Sequence, residues 1–168
     1  MLNFPDFRAH ERSYQLMVQV AGRAGRAAKR GKVAIQTFNP FHQILQQVST
    51  NAYEEMYKEQ LDERWQYKYP PFHRLIKITL RHKDFIRVED GANWLSKSLF
   101  SIFHNNVLGP STPAISKIRN YYIRTIIIKI PQKQSISATK KQLIRVKNSF
   151  QAIKEFRSIK LTIDVDNY

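Results

Sequence analysis

Near the start of the chain, Tyr14, Leu16, Met17 and Val20 recur at helical spacing and predict an amphipathic helix over residues 7–23. Gly22 and Gly25 are expected to stop it, which makes residues 22–31 a loop. The run KVAIQT at 32–37 reads as a short buried strand, and Asn39-Pro40 as a turn opening a helix that carries Phe41, Ile44, Leu45 and Val48. A further helix is predicted with Tyr53, Met56, Tyr57 and Leu61 on one face and Glu54, Glu55, Glu59, Asp62 and Glu63 around the other. Tyr69-Pro70-Pro71-Phe72 ends it, because proline lacks a backbone donor and drives the preceding residue out of helical space.

Beyond that break the period changes. Residues 73–81 alternate, with Ile76, Ile78 and Leu80 on one face and Lys77, Thr79 and Arg81 on the other, the pattern of a half-buried strand. Val88, Ala92, Leu95, Leu99 and Ile102 mark a helix. Val107-Leu108-Gly109-Pro110 begins an irregular strand that residues 114–118 extend, and Arg119-Asn120 turns the chain into a strand over 121–130. Ile136, Leu143, Val146 and Phe150 give a helix over 136–156, and Ile159, Leu161, Ile163 and Val165 alternate as a closing strand. Strand, helix, hairpin, helix, strand is the order of the split ferredoxin-like unit (β-α-β-β-α-β), an α+β fold whose antiparallel sheet is covered on one face by two helices. The other face stays free. That face or its rim is expected to show Lys77, Arg81, Arg119, Arg124 and Lys129, and the second helix adds Lys140, Lys141, Arg145 and Lys147.

Charge sharpens this division. The 168 residues carry a net charge of +15. Residues 1–72 hold 10 Lys and Arg against 7 Asp and Glu (+3), whereas 73–168 hold 18 against 6 (+12). Such a field attracts polyanions and releases their counterions on binding, so nucleic acid is the first candidate partner; plain solubility, or ribosomal RNA, is the alternative. The absence of cysteine excludes a disulfide framework and a thiolate zinc site, and the five histidines do not cluster. No apolar run approaches the roughly 18 residues of a membrane span. Asp6 and Glu11 stand where a signal peptide has its apolar core, so no membrane partner and a cytoplasmic location are expected.

One string carries chemistry. In QVAGRAGR, residues 19–26, Arg23 and Arg26 lie three apart with small residues between them, so both guanidinium groups can approach phosphates closely beside Gln19. Spacing alone leaves that reading and a solvated basic loop equally open. Residues 25–32 imitate a phosphate-binding loop, but with one residue too many between the glycines and Val33 where Ser or Thr holds magnesium.

QVAGRAGR resembles the last conserved motif of superfamily-two helicases, and the preceding LNFPDFRAHER (residues 2–12) is similar to the run found there in PriA-type replication-restart helicases. Residues 33–37, Tyr69-Pro70-Pro71-Phe72, Leu108-Gly109-Pro110 and Ile163-Asp164-Val165-Asp166 resemble that family in the same order, so the likeness spans the chain. It implies an ATP-dependent 3′–5′ DNA helicase that restarts stalled forks and assembles the primosome. Arg26 would be the arginine finger, Arg23 a second phosphate contact, and Gln19 and Gly22 would lie against the nucleotide. ATP and magnesium would act in a whole protein whose first lobe brings the Walker loop, and zinc would belong to a cysteine module upstream. This chain is expected to bind none of the three and to hydrolyse no ATP. Met1 is expected to be a start within a longer protein. Residues 1–70 would be the end of a RecA-like second lobe with linker helices, and 71–168 a DNA-binding domain similar in fold to a small-subunit ribosomal protein. The implied partners are branched DNA at replication forks, the acidic tail of single-stranded DNA-binding protein, and other primosome proteins.

For nucleic-acid contact the candidates are Arg119, Tyr121, Arg124, Lys133, Lys140, Lys141, Arg145 and Lys147. No acid interrupts residues 132–150, so the lysines and arginine there suit phosphates or an acidic peptide better than a plain solvated face. Trp94, beside Leu95 in an amphipathic helix, is expected to pack rather than stack on bases, whereas Tyr121 follows a turn and stays open to either role. A rival of another class is a free-standing basic RNA-binding or ribosome-associated protein in which the arginine motif is coincidental.

Overall fold

A computed structural model describes residues 6–24 and 31–166, and the chain divides into two compact units, Met1–Tyr67 and Lys68–Tyr168. The first holds α1 (Ala9–Ala24), α2 (Gln43–Ser49) and α3 (Tyr53–Gln66) around a small core of Tyr14, Ile44 and Met56, with Met17, Val18 and Val48 against it. Side chains tie the helices together: Glu59 accepts hydrogen bonds from Gln43 and Gln47 at 2.7 and 2.6 Å, and Arg64 pairs with Glu11.

Five expectations change here. The first helix does not stop at Gly22 but runs to Ala24, because a glycine in right-handed space weakens a helix without ending it. Gly25 lies outside the described residues. Leu16 and Val20 are exposed, since the stripe that packs runs through Tyr14, Met17 and Val18. Residues 32–37 are exposed and form no strand: a strand is a pairing, and no described residue of this unit is a strand to pair with. Phe41, Tyr53 and Tyr57 are likewise exposed rather than packed, and His42, not the Asn39-Pro40 turn, caps α2 through Nδ1.

The second unit is α+β, built from β1 (His73–His82), α4 (Phe85–Phe103), a short 3-10 turn (His104–Asn106), β2 (Val107–Ser111), β3 (Lys117–Ile118), β4 (Tyr121–Pro131), α5 (Ile136–Ala152) and β5 (Lys160–Val165). The sheet order is β2-β4-β1-β5, every pairing is antiparallel, and β3 joins β4 along the edge that β2 uses. Paired residues share a face. Ile76, Ile78 and Leu80 therefore lie beside Ile126, Ile128 and Ile130, and α4 (Leu95, Leu99) and α5 (Val146, Phe150) close over them in one core. Asp84 and Ser135 cap the two helices by accepting from the amides of Arg87 and Ala138. Gly109 is required where it stands. Its φ of +106° and a built Cβ only 2.8 Å from the Thr125 carbonyl admit no side chain, and its own carbonyl accepts from Ser96 at 2.8 Å.

Two boundaries and one face differ from the sequence reading. Residues 114–116 leave the sheet, so only Lys117 and Ile118 pair before the turn. The last helix ends at Ala152 instead of 156, because Ile153 turns extended and the chain folds Phe156 back onto Phe150, ring centroids 5.2 Å apart. The face away from α4 and α5 is not free along its length: Leu75, Thr79, Ile123, Thr125 and Lys129 are all buried on it. Trp94 packs, 5.9 Å from Phe150.

Candidate nucleic-acid interface

The two-residue turn Arg119-Asn120 has φ of 46° and 65°, both left-handed, which matches the twist of the strands it joins. It fixes the register Ile118↔Tyr121 and so delivers Tyr121 to one end of the sheet. Arg81 pairs with Ile123 on one side and with Lys160 on the other, which puts Arg81, Tyr121 and Lys160 on the same face at that end. Lys160 Nζ lies 4.7 Å and Lys83 Nζ 5.8 Å from the Tyr121 ring centroid. On the neighbouring ring, Lys117 Nζ stands 4.6 Å from the centroid of Tyr122 and donates to its hydroxyl at 3.4 Å.

Arg124 is a correction. It was expected among the free cations, yet it pairs with Leu80 across the sheet and so turns toward the helices. Its Nε donates to Glu89 at 2.6 Å, its Nη1 to the Ile123 carbonyl at 2.9 Å, and the guanidinium lies 5.0 Å over Phe85. A group so engaged and so little exposed braces α4 on the sheet and is poorly placed to meet a phosphate.

A second group gathers at the far end of β1. Arg74, Lys140 and Lys147 border an open groove of about 440 Å³ whose floor is apolar, with Ile130, Leu143 and Ile163 in it. Asp166 holds Arg74 at 3.5 Å and closes the strand end: its amide donates to the Leu75 carbonyl, and its side-chain Oδ1 accepts from the Leu75 amide. Lys141 and Arg145 are exposed one turn apart on α5, and Lys133 is exposed in the turn before Ser135. The structure thus splits the expected contact residues into two sets. Arg119 and Tyr121 lie at one end of β1, and the α5 cations lie with Arg74 at the other. Seven residues of β1 separate Arg74 from Arg81, about 23 Å.

Near the Arg74 end, on the opposite face of the sheet, Lys129, His73 and Lys68 repel one another. Burial and the Lys68 charge hold the Lys129 ammonium below its ordinary pKa, with its Nζ 3.6 Å from the Tyr69 ring centroid. Burial first, then Lys68 and Lys129, lowers His73 below 6.5, and its Nδ1 is buried with no hydrogen-bond partner among the described residues.

In the first unit, Gln19, Gly22 and Arg23 fall on one exposed face of α1 at three- and four-residue spacing; Arg26 lies outside the described residues. Sequence reasoning missed Lys83, Lys117 and Lys160. Their meeting with Tyr121 and Tyr122 depends on how β1, β3, β4 and β5 pair, which no local pattern announces.

What these observations define is a three-helix segment followed by a strongly basic α+β domain with cations at two ends of one sheet. The chain belongs to the Primosomal protein N C-terminal domain family, whose model matches residues 66–168. It is 32% identical over 171 residues, 99% of this chain, to a protein of Bacillus subtilis named replication restart protein PriA. Proteins of the same name from Haemophilus influenzae (32%, 96% of this chain) and Treponema pallidum (37%, 77%) match as well. The chain spans about a fifth of the length of these curated relatives: 21, 22 and 20%.

Proposed function

We propose that this chain is the DNA-contacting end of an ATP-dependent 3′–5′ helicase that restarts stalled replication forks and assembles the primosome, and that it binds branched DNA. The observation that carries the reading is the state of the cations. Among the described residues of the second unit, Arg74 and Arg124 are ion-paired, whereas Arg81, Lys83, Arg119, Lys140, Lys147 and Lys160 are in no ion pair. Unpaired cations at two ends of a rigid sheet suit a polyphosphate more than they suit folding. Gln19 and Arg23, with Arg26, fit the phosphates of ATP in charge and donor type. They bring no nucleophile and no metal ligand, so this chain alone turns over no ATP, and magnesium and zinc would be held elsewhere in the longer protein.

The test is binding to a fluorescent three-way fork against duplex DNA and duplex RNA across a salt series. Preference for the fork with a steep salt dependence supports the reading; equal or better binding to duplex RNA replaces it with a ribosome-associated RNA binder.

The apolar groove favours a second partner, the acidic tail of single-stranded DNA-binding protein, since its cationic border and aliphatic floor suit a peptide carrying both carboxylates and apolar side chains. Lys140→Glu with Lys147→Glu should abolish binding of such a peptide; unchanged peptide binding would remove this partner.

A further inference from the structure

We propose that Lys83 and Lys160, held on the ring of Tyr121, form with Arg81 a clamp for the phosphodiester backbone of a DNA strand. This deepens the reading above and rests on it. Both ammonium groups stand within 6 Å of one ring centroid. Two like charges drawn to one point repel, and here the negative face of the ring opposes that repulsion. Tyr121 is set in place by the left-handed turn before it and the Lys160 backbone by its pairing with Arg81, so the fold brings the ring and this cation to the same end of one sheet face, and Lys83 follows directly on the end of β1.

None of Arg81, Lys83 and Lys160 has an ion-pair partner among the described residues, and all three are exposed. Two of the acids near this group are engaged elsewhere, and Asp164, on the same face of β5 as Lys160, pairs across the sheet with Lys77 rather than with Arg81. Asp84 accepts from the Arg87 amide at the start of α4, a bond that lowers its pKa and keeps it ionised there, and Glu89 is taken by Arg124. A gathered group of cations ion-paired by no carboxylate among the described residues matches a ligand that brings its own negative charge. A tyrosine serving only to pack would need neither lysine. DNA phosphates are the occupant to which the charge is complementary, and contacts of this kind set position without reading sequence.

The experiment uses the full chain, a fluorescent three-way fork and a salt series. Lys83→Met and Lys160→Met should each weaken binding about fivefold near 100 mM salt and lower the salt slope by about one, while Lys97→Met, the same charge change on the exposed side of α4, should shift affinity less than about twofold. Tyr121→Leu, with both lysines kept, should weaken binding about threefold and Tyr121→Phe should not, because the ring and not the hydroxyl holds the ammonium groups. Amide shifts on adding fork to unaltered protein should centre on Lys83, Tyr121 and Lys160. If wild type binds the fork but the lysine variants match Lys97→Met and no shifts appear there, the clamp is wrong and the DNA reading stands. Failure of the wild type to bind the fork removes both.

Discussion

Replacing Glu89 by Gln would show whether Arg124 is a brace or a DNA contact. The Arg124 side chain is 9% exposed and reaches Glu89 at 2.6 Å, whereas the glutamate is 36% exposed. Removing the partner of a fully buried charge costs about 3–5 kcal/mol, but water screens the outer half of this pair, so we expect a loss of about 1–2 kcal/mol. Arg124→Met keeps the length and the contact with Phe85 while removing the charge that needs a partner. Adding it to Glu89→Gln should therefore cost less than Glu89→Gln alone, a coupling that a double-mutant cycle in urea reads directly. Fork affinity is the second axis: Arg124→Met should weaken it by less than about twofold, since a guanidinium turned into the helix layer contributes only to the distant field. A Glu89→Gln loss below about 0.5 kcal/mol would make the pair an ordinary surface contact, and a several-fold drop in fork binding by Arg124→Met would return that residue to the interface.

Gly91→Ala should destabilise the second unit by about 1–3 kcal/mol in a urea melt, because the added Cβ meets Ile159 Cδ1 at 2.5 Å and the Phe150 ring at 3.3 Å in a packed core. Gly22→Ala should do the opposite for α1, raising its stability by about 0.5–1 kcal/mol, since nothing lies within 4 Å of the new methyl; amide exchange in α1 measures it. His73 is held below 6.5 by burial, Lys68 and Lys129, so the folded state takes up its proton later than the unfolded chain as pH falls. Stability should accordingly be level above that value and decline as pH drops from 6.5 toward the lower folded pKa; His73→Gln should flatten this part of the urea midpoint against pH.

The two helices and the first and last strands of the basic domain were legible because each has a period of its own: alternation in β1 and β5, three-to-four spacing in α4 and α5. The turn at Arg119-Asn120 was legible in place, though arginine at its first position gives no hint that both residues sit left-handed. What failed was relational. KVAIQT has the composition of a strand, but pairing depends on a neighbour, and no described residue of its unit supplies one. Gly22 has the chemistry of a stop, but a glycine ends a helix only where the chain turns left-handed after it.

The clearest case is Arg124 against Lys129. Both lie in one strand of mixed apolar and basic residues, and both were expected at the free face. They are five positions apart, an odd number, so in a two-residue period they can never share a face. Lys129 lies on the side away from the helices, and Arg124 is carried under α4 to Glu89. Parity along a strand could thus have excluded one of them from the sequence, but not chosen which. The choice came from Leu80, the fully buried partner of Arg124, whose face the helices cover. The same register makes a group of Arg81, Tyr121 and Lys160 from residues up to 79 positions apart, a separation that no local pattern can bridge. A basic domain announces its charge in composition; which cations stay exposed and which hold the fold depends on strand pairing.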